Sequence, residues 1–146
     1  MIRPAVHADV PAIAALVRDA YALYVPRIGR QPAPVTADHA GLVAAGRTSV
    51  AEVDGTIAGV IVLIPAEDHL LVENVAVAPA LQGRGLGGEL MRYAERRATE
   101  LGVQELRLYT NALMTENLAL YPGLGYVETG RRTEDGFSRV YFSKFL

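Results

Sequence analysis

Four glycines, Gly83, Gly85, Gly87 and Gly88, fall within six residues of the stretch "ALQGRGLGGELM". Glycine inside regular structure costs about 0.5–1 kcal/mol relative to alanine, so such a cluster points to a need for bare backbone. It follows a strand-like run and opens a helix-like one. The first amides of a helix lack intrahelical partners, and the helix dipole adds partial positive charge there. Glycines just ahead of that end let N–H groups converge on an anion, phosphate above all. Arg84 adds a charge-assisted contact. Two other readings use the same residues. A flexible loop before a helix start needs no ligand. Gly83-x-Gly85-x-x-Gly88 also fits the dinucleotide fingerprint, but five residues separate the strand from Gly83 where that fingerprint has a tight turn. The next strand ends in Tyr109-Thr110-Asn111, with no acid for a ribose hydroxyl. On the preceding strand Glu73 alternates with Val75 and Val77, and period two places all three on one side.

The elements that must position these residues are legible in the periodicity. Residues 2–6 form a short strand. Asp9 is placed to cap a helix with Pro11 in its first turn, and Ile13, Leu16, Val17, Ala20, Tyr21 and Tyr24 recur at helical spacing. Residues 25–35, "VPRIGRQPAPV", carry three prolines and no period, which predicts a stiff loop. Thr36 is placed to cap a second short helix reaching about Ala45. The period then changes to two. Residues 48–53, the Asp54-Gly55 turn and residues 56–65 predict a hairpin. Further strands follow at 70–77, 104–110, 126–132 and 137–144. Helices are expected over 85–101, with Leu86, Leu90, Ala94 and Ala98 on one stripe, and over 114–121. The order β-α-α-β-β-β-α-β-α-β-β predicts a mixed α/β fold, a mixed sheet with helices on its faces, in which 70–110 forms a crossover between parallel strands.

The chain has 146 residues, which predicts one domain over 1–146. There is no cysteine, which excludes a disulfide scaffold, a thiolate metal site and a cysteine nucleophile, and fits a reducing cytoplasm. Lys plus Arg total 14 against 16 Asp plus Glu, and no basic run marks a nucleic-acid surface. The longest apolar run, 57–66, is too short to span a bilayer, and Met1 leads into Ile2-Arg3-Pro4 with no apolar signal stretch. A soluble cytoplasmic protein without membrane or nucleic-acid partners is expected.

In another frame the glycines read Gln82-x-x-Gly85-x-Gly87. "VENVAVAPALQGRGLGGELM" resembles the acetyl-CoA-binding core of the GCN5-related N-acetyltransferases: a Val-x-Val strand, Pro, (Gln/Arg)-x-x-Gly-x-(Gly/Ala), then a helix. The element order matches that fold end to end, and "LALYPGLGYVETGR" is similar to the family's later tyrosine segment.

The resemblance implies acetyl-CoA as donor, no metal, and direct transfer to an amine-bearing acceptor. It implies that the strand segment Val75, Ala76 and Val77 pairs with the pantetheine arm, and that the amides of Gln82, Gly83, Arg84, Gly85, Leu86, Gly87 and Gly88 hold the pyrophosphate. It implies a splay between strands 70–77 and 104–110 that admits the thioester. Tyr121 matches the family's general acid, whereas periodicity alone makes it a core residue beside Leu118 and Leu120. The family commonly has Asn seven residues earlier, where this chain has Met114; Asn117 and Asn111 are the candidates to replace it. Glu73 is a candidate base, or an edge glutamate. Some members use an acid near this place, and others leave the proton to water. Arg27 and Arg30 suit an anionic acceptor, or are solvated. His7, His39, Asp68 and His69 read as surface, structural or turn residues. The acceptor is open among a polyamine, an amino acid, an aminoglycoside-like amine, a peptide N-terminus and a lysine. Family dimers are common, but no segment marks an interface.

Overall fold

A computed structural model describes all residues 1–146. Seven strands form one sheet in the order β1-β2-β3-β4-β5-β7-β6, with β1 Ile2–Pro4, β2 Thr48–Val53, β3 Thr56–Pro65, β4 Leu70–Val77, β5 Glu105–Asn111, β6 Val127–Glu134 and β7 Phe137–Phe145. Five helices accompany it: α1 Val10–Tyr21, α2 Tyr24–Ile28, α3 His39–Ala44, α4 Leu86–Glu100 and α5 Thr115–Gly123. β4 and β5 are the parallel pair that the crossover through α4 predicts.

Strand alternation sends side chains into two cores. Ile13, Leu16 and Val17 of α1 and Val43 of α3 pack on Val50, Val60 and Ala76. On the opposite face Leu90, Met91, Ala94 and Ala98 of α4 pack on Ile61, Val72, Leu106 and Leu108. The predicted α4 stripe is thus the buried one, with Leu86 at its partly buried start.

Several expectations need correction. Tyr24 does not continue α1; the helix breaks after Tyr21, and the stretch read as a stiff loop contains α2. Thr36 does not cap α3. The cap is Asp38, whose carboxylate accepts the Gly41 amide at 3.0 Å, while the Thr36 hydroxyl turns back to the Ala33 carbonyl. Asp9 precedes α1 but makes no cap bond to it. Its carboxylate takes two bonds from the Arg3 guanidinium, at 2.7 and 3.0 Å, and the Val6 amide at 2.8 Å. Arg3 and then Val6 hold that carboxyl below its ordinary 3.8.

Because the folded-state value is depressed, the Asp9 contribution to stability is complete above the ordinary value and is lost as pH falls through the folded one. Asp9→Ala is expected to cost about 1–3 kcal/mol at neutral pH. Chemical denaturation should show the gap to wild type closing below about pH 4.

The consequential departure is in β4. Val72 pairs with Leu63 and Asn74 with Val62, so Glu73 is an extra, unpaired residue in a bulge. A bulge shifts the parity of the strand. Val72, Val75 and Val77 all pack against the α4 core, Ala76 packs against α1, and Asn74 bonds Tyr21 of α1. Glu73 meets Tyr109, whose ring lies on the face opposite Leu108. The expectation that Glu73, Val75 and Val77 share a face is therefore wrong: Glu73 points to the other side.

Candidate active site

Two features of β4 build the site. The first is the end of its pairing with β5, which runs from Leu70↔Leu106 only to Val72↔Leu108. Beyond it the strands part, with Glu73, Asn74 and Val75 on one lip and Tyr109, Thr110 and Asn111 on the other. β3 stays paired with β4 on the far side as far as Val77. The amide of Ala78 donates to Ala58 of β3 at 2.8 Å. Alternation then turns the peptide groups of Val75 and Val77 toward the side that β5 has vacated. The second feature is the bulge, which aims Glu73 to one side of the gap and Val75 and Val77 to the other.

On the α4 side lies a cleft of about 570 Å³, lined by Val75, Val77, Gln82, Gly83 and Gly85–Gly88. The Gln82 side-chain amide donates to the Val77 carbonyl at 3.2 Å and ties the loop to the strand. Gly85 precedes α4 with φ +81°, a conformation that favours glycine, and offers no side-chain cap. The amides of Leu86, Gly87 and Gly88 open the helix without intrahelical acceptors. A Cβ built on Gly87 would meet only a Val77 methyl at 3.9 Å, so the space over the first turn is open. Backbone donors and an open approach fit a pyrophosphate. Arg84 is exposed and is not part of the lining.

On the α1 side lies a smaller cavity containing Glu73, Tyr109, Arg139 and Phe137, roofed by Pro32, Ala33 and Pro34. Tyr21, Val75, Asn117 and Tyr121 line both cavities and mark where they meet.

Tyr121 is buried, with its ring near edge-on to Tyr126 at 5.9 Å and 5.7 Å from Phe142. Burial, and then the nearby Tyr24, push its hydroxyl up to about 12, so it stays protonated at neutral pH. Burial, and then the Glu73 carboxylate, push Tyr109 up to about 12 as well. Tyr109 donates to Glu73 at 3.2 Å. Burial also raises Tyr21, which donates to Asn74 at 2.8 Å.

Met114 is buried at the head of α5, and its sulfur lies 3.7 Å from both the Thr110 hydroxyl and the Asn117 amide. Asn117 reaches Thr110 at 3.1 Å. Asn111 accepts the Leu113 amide at 2.9 Å, as a turn residue does. Of the two asparagines, Asn117 is the one common to both cavities. Arg27 is bound to Glu116 at 2.8 Å and to the Leu113 carbonyl at 3.1 Å. Arg30 lies 3.6 Å over the Phe137 ring and donates to the Asp135 carbonyl. Both arginines tie the 25–36 segment down rather than reach freely into solvent. His69 pairs with Asp68 at 2.7 Å, away from both cavities.

Residues 13–126 match the acetyltransferase (GNAT) family. The chain belongs to this family. It is 32% identical over 87 residues to N-acetyltransferase family 8 member 3 of Rattus norvegicus, a match spanning 56% of this chain and 38% of that protein. The chain thus covers well under half of that relative. Among solved structures, the IAA acetyltransferase from Bacillus cereus ATCC 14579 is 25% identical with a TM-score of 0.75, covering 100% of this chain and 99% of the other. The PaiA N-acetyltransferase from Thermoplasma acidophilum, solved in complex with coenzyme A, has a TM-score of 0.82 over 100% of this chain and 98% of its own at 16% identity, a likeness of fold alone. Within this GNAT chain no helix is long and apolar enough to cross a membrane.

In the sequence Tyr21 is only a position in a helical stripe and Tyr109 only a strand end, and Asn74 and Arg139 carry no site pattern. The one available signal was Asn74, which with Glu73 makes the polar pair in a strand whose other six residues are apolar; the fold buries it.

Proposed function

We propose that residues 1–146 act as one cytoplasmic N-acetyltransferase domain that moves an acetyl group from acetyl-CoA to a primary amine, directly, in a ternary complex. The observation that carries this reading is the β4–β5 gap, where a donor-lined cleft and a polar cavity meet at Tyr121.

Acetyl-CoA supplies an activated acyl group and a thiolate leaving group. The peptide groups of Val75 and Val77, with Ala76 between them held to β3, pair with its extended arm as an added strand would. The amides of Gln82–Gly88 hold its phosphates, and Asn117 contacts it from α5 in place of the residue that Met114 displaces. Glu73 stands on the acceptor side and receives a proton from the incoming amine, directly or through water. Tyr121 donates toward the sulfur as negative charge develops. Its ring is buried against those of Tyr126 and Phe142, which limits water at that point.

One observation favours a second reading. Met114 fills with a buried thioether the place where the family commonly has an amide. A module that binds acetyl-CoA and does not turn it over would tolerate this. Binding without CoA release across an amine panel would identify such a module.

The donor is tested by melting. Acetyl-CoA at 100 times its dissociation constant should stabilise the fold by about 2.7 kcal/mol, and NAD should not. An unmoved melting curve would remove the acetyl-CoA assignment. Glu73→Gln should lower kcat while acetyl-CoA affinity holds. An unchanged kcat, with chemistry rate-limiting, would assign the proton to water alone.

A further inference from the structure

We propose that the acceptor carries a carboxylate a few bonds from its amine, as a free amino acid does, and that Arg139 receives it. This rests on the acetyl-transfer reading above and specifies the acceptor class.

The side chain of Arg139 is only 12% exposed and lines the acceptor cavity. Its guanidinium lies 4.6 Å over the Tyr109 ring and 5.7 Å from the Phe137 ring. Its nearest carboxylate, Glu134, is 3.9 Å away. Glu134 is also engaged by the Tyr141 hydroxyl and by Arg132 at 3.5 Å. A guanidinium has five N–H donors, and buried charges are normally paired and hydrogen-bonded. The aromatic rings hold Arg139 in place without satisfying those donors in their plane. A carboxylate would, with two parallel bonds.

The spacing follows from Tyr109. Its hydroxyl touches Glu73 and its ring carries Arg139, so the acidic and basic ends of the cavity are one aromatic side chain apart. An acceptor with its amine at Glu73 can place a nearby carboxylate at Arg139. The roof limits size. Arg30 clamps the 32–34 segment onto the β6–β7 turn through Phe137 and the Asp135 carbonyl. That closure suits a small zwitterion better than a polyamine or a protein side chain. The loop arginines are tied elsewhere, which leaves Arg139 as the cation facing Glu73.

The test uses matched pairs: L-phenylalanine with phenethylamine, L-histidine with histamine, and β-alanine with ethylamine. Each is titrated calorimetrically into the protein–CoA complex and assayed for CoA release with acetyl-CoA. In both readouts at least one acid should exceed its carboxylate-free partner by about 10- to 100-fold. Arg139→Gln should bring that preference to about unity, and Arg139→Lys should keep part of it. Melting curves and acetyl-CoA titrations check that the variants fold. Equal or better performance by every carboxylate-free amine, or a preference that persists in Arg139→Gln, would overturn the inference. Failure of CoA to bind would overturn the transfer reading on which it rests.

Discussion

Tyr121→Phe is expected to lower kcat by about 10²-fold, the low end of the range for general acids, with acetyl-CoA affinity nearly unchanged. The low end follows from energetics. A thiol has a reference pKa of about 8.5, whereas burial holds Tyr121 up to about 12. Complete proton transfer to the departing thiolate is therefore uphill, and the hydroxyl contributes a hydrogen bond that tightens as charge builds. Such a bond is strongest in the transition state, so its loss falls on kcat rather than on binding. The packing against Tyr126 and Phe142 involves the ring alone, so the phenylalanine variant should fold as the wild type does. The same elevation fixes the pH behaviour. If Tyr121 is the proposed donor, the active form is the protonated one, and it is lost only as pH approaches about 12. No alkaline limb below that region should belong to Tyr121. A wild-type kcat in the variant, with chemistry rate-limiting, would leave Tyr121 as a core residue.

Gly87→Ala separates stability from donor binding. The position is helical and the added methyl has room, meeting only Val77 at 3.9 Å. Alanine should stabilise α4 by about 0.5–1 kcal/mol relative to glycine. The methyl would nevertheless stand over the first turn, where a phosphate approaches the free amides. Losing one charge-assisted bond of about 1.5–3 kcal/mol weakens acetyl-CoA binding about 10- to 100-fold. The variant should therefore melt higher alone and bind donor more weakly. Gly85→Ala is a poorer probe, because φ +81° would strain any residue with a Cβ. Undiminished acetyl-CoA affinity in Gly87→Ala would reduce the glycine stretch to a helix start.

The parts of this site that lie along one stretch of chain were legible in the sequence. The strand at 70–77, the glycines and the α4 stripe are local patterns with fixed periods, and the fold carries all three. The bulge at Glu73 was not legible. An extra residue in one strand leaves no compositional mark, yet it reverses which face every later side chain occupies. It leaves Glu73 on the α1 side of the gap and turns Val75 and Val77 to the α4 side. The contacts of Tyr109 with Glu73 and Arg139 join β4, β5 and β7, 36 residues apart in the first case, and no periodicity records them. The 25–36 segment misled in another way. Its prolines suggested an aperiodic loop, but Pro26 sits inside the short α2, and Arg27 and Arg30 anchor the segment through partners more than 80 residues away.

Direct transfer from acetyl-CoA to an amine held in the neighbouring cavity requires both substrates on the protein at once. Initial rates of CoA release, measured over a grid of acetyl-CoA and amine concentrations with the product identified by mass, test it most directly. Double-reciprocal lines that intersect, with one acetyl group on the amine and none on the protein, are the predicted result. Parallel lines with an acetyl group covalently attached to the chain would contradict it.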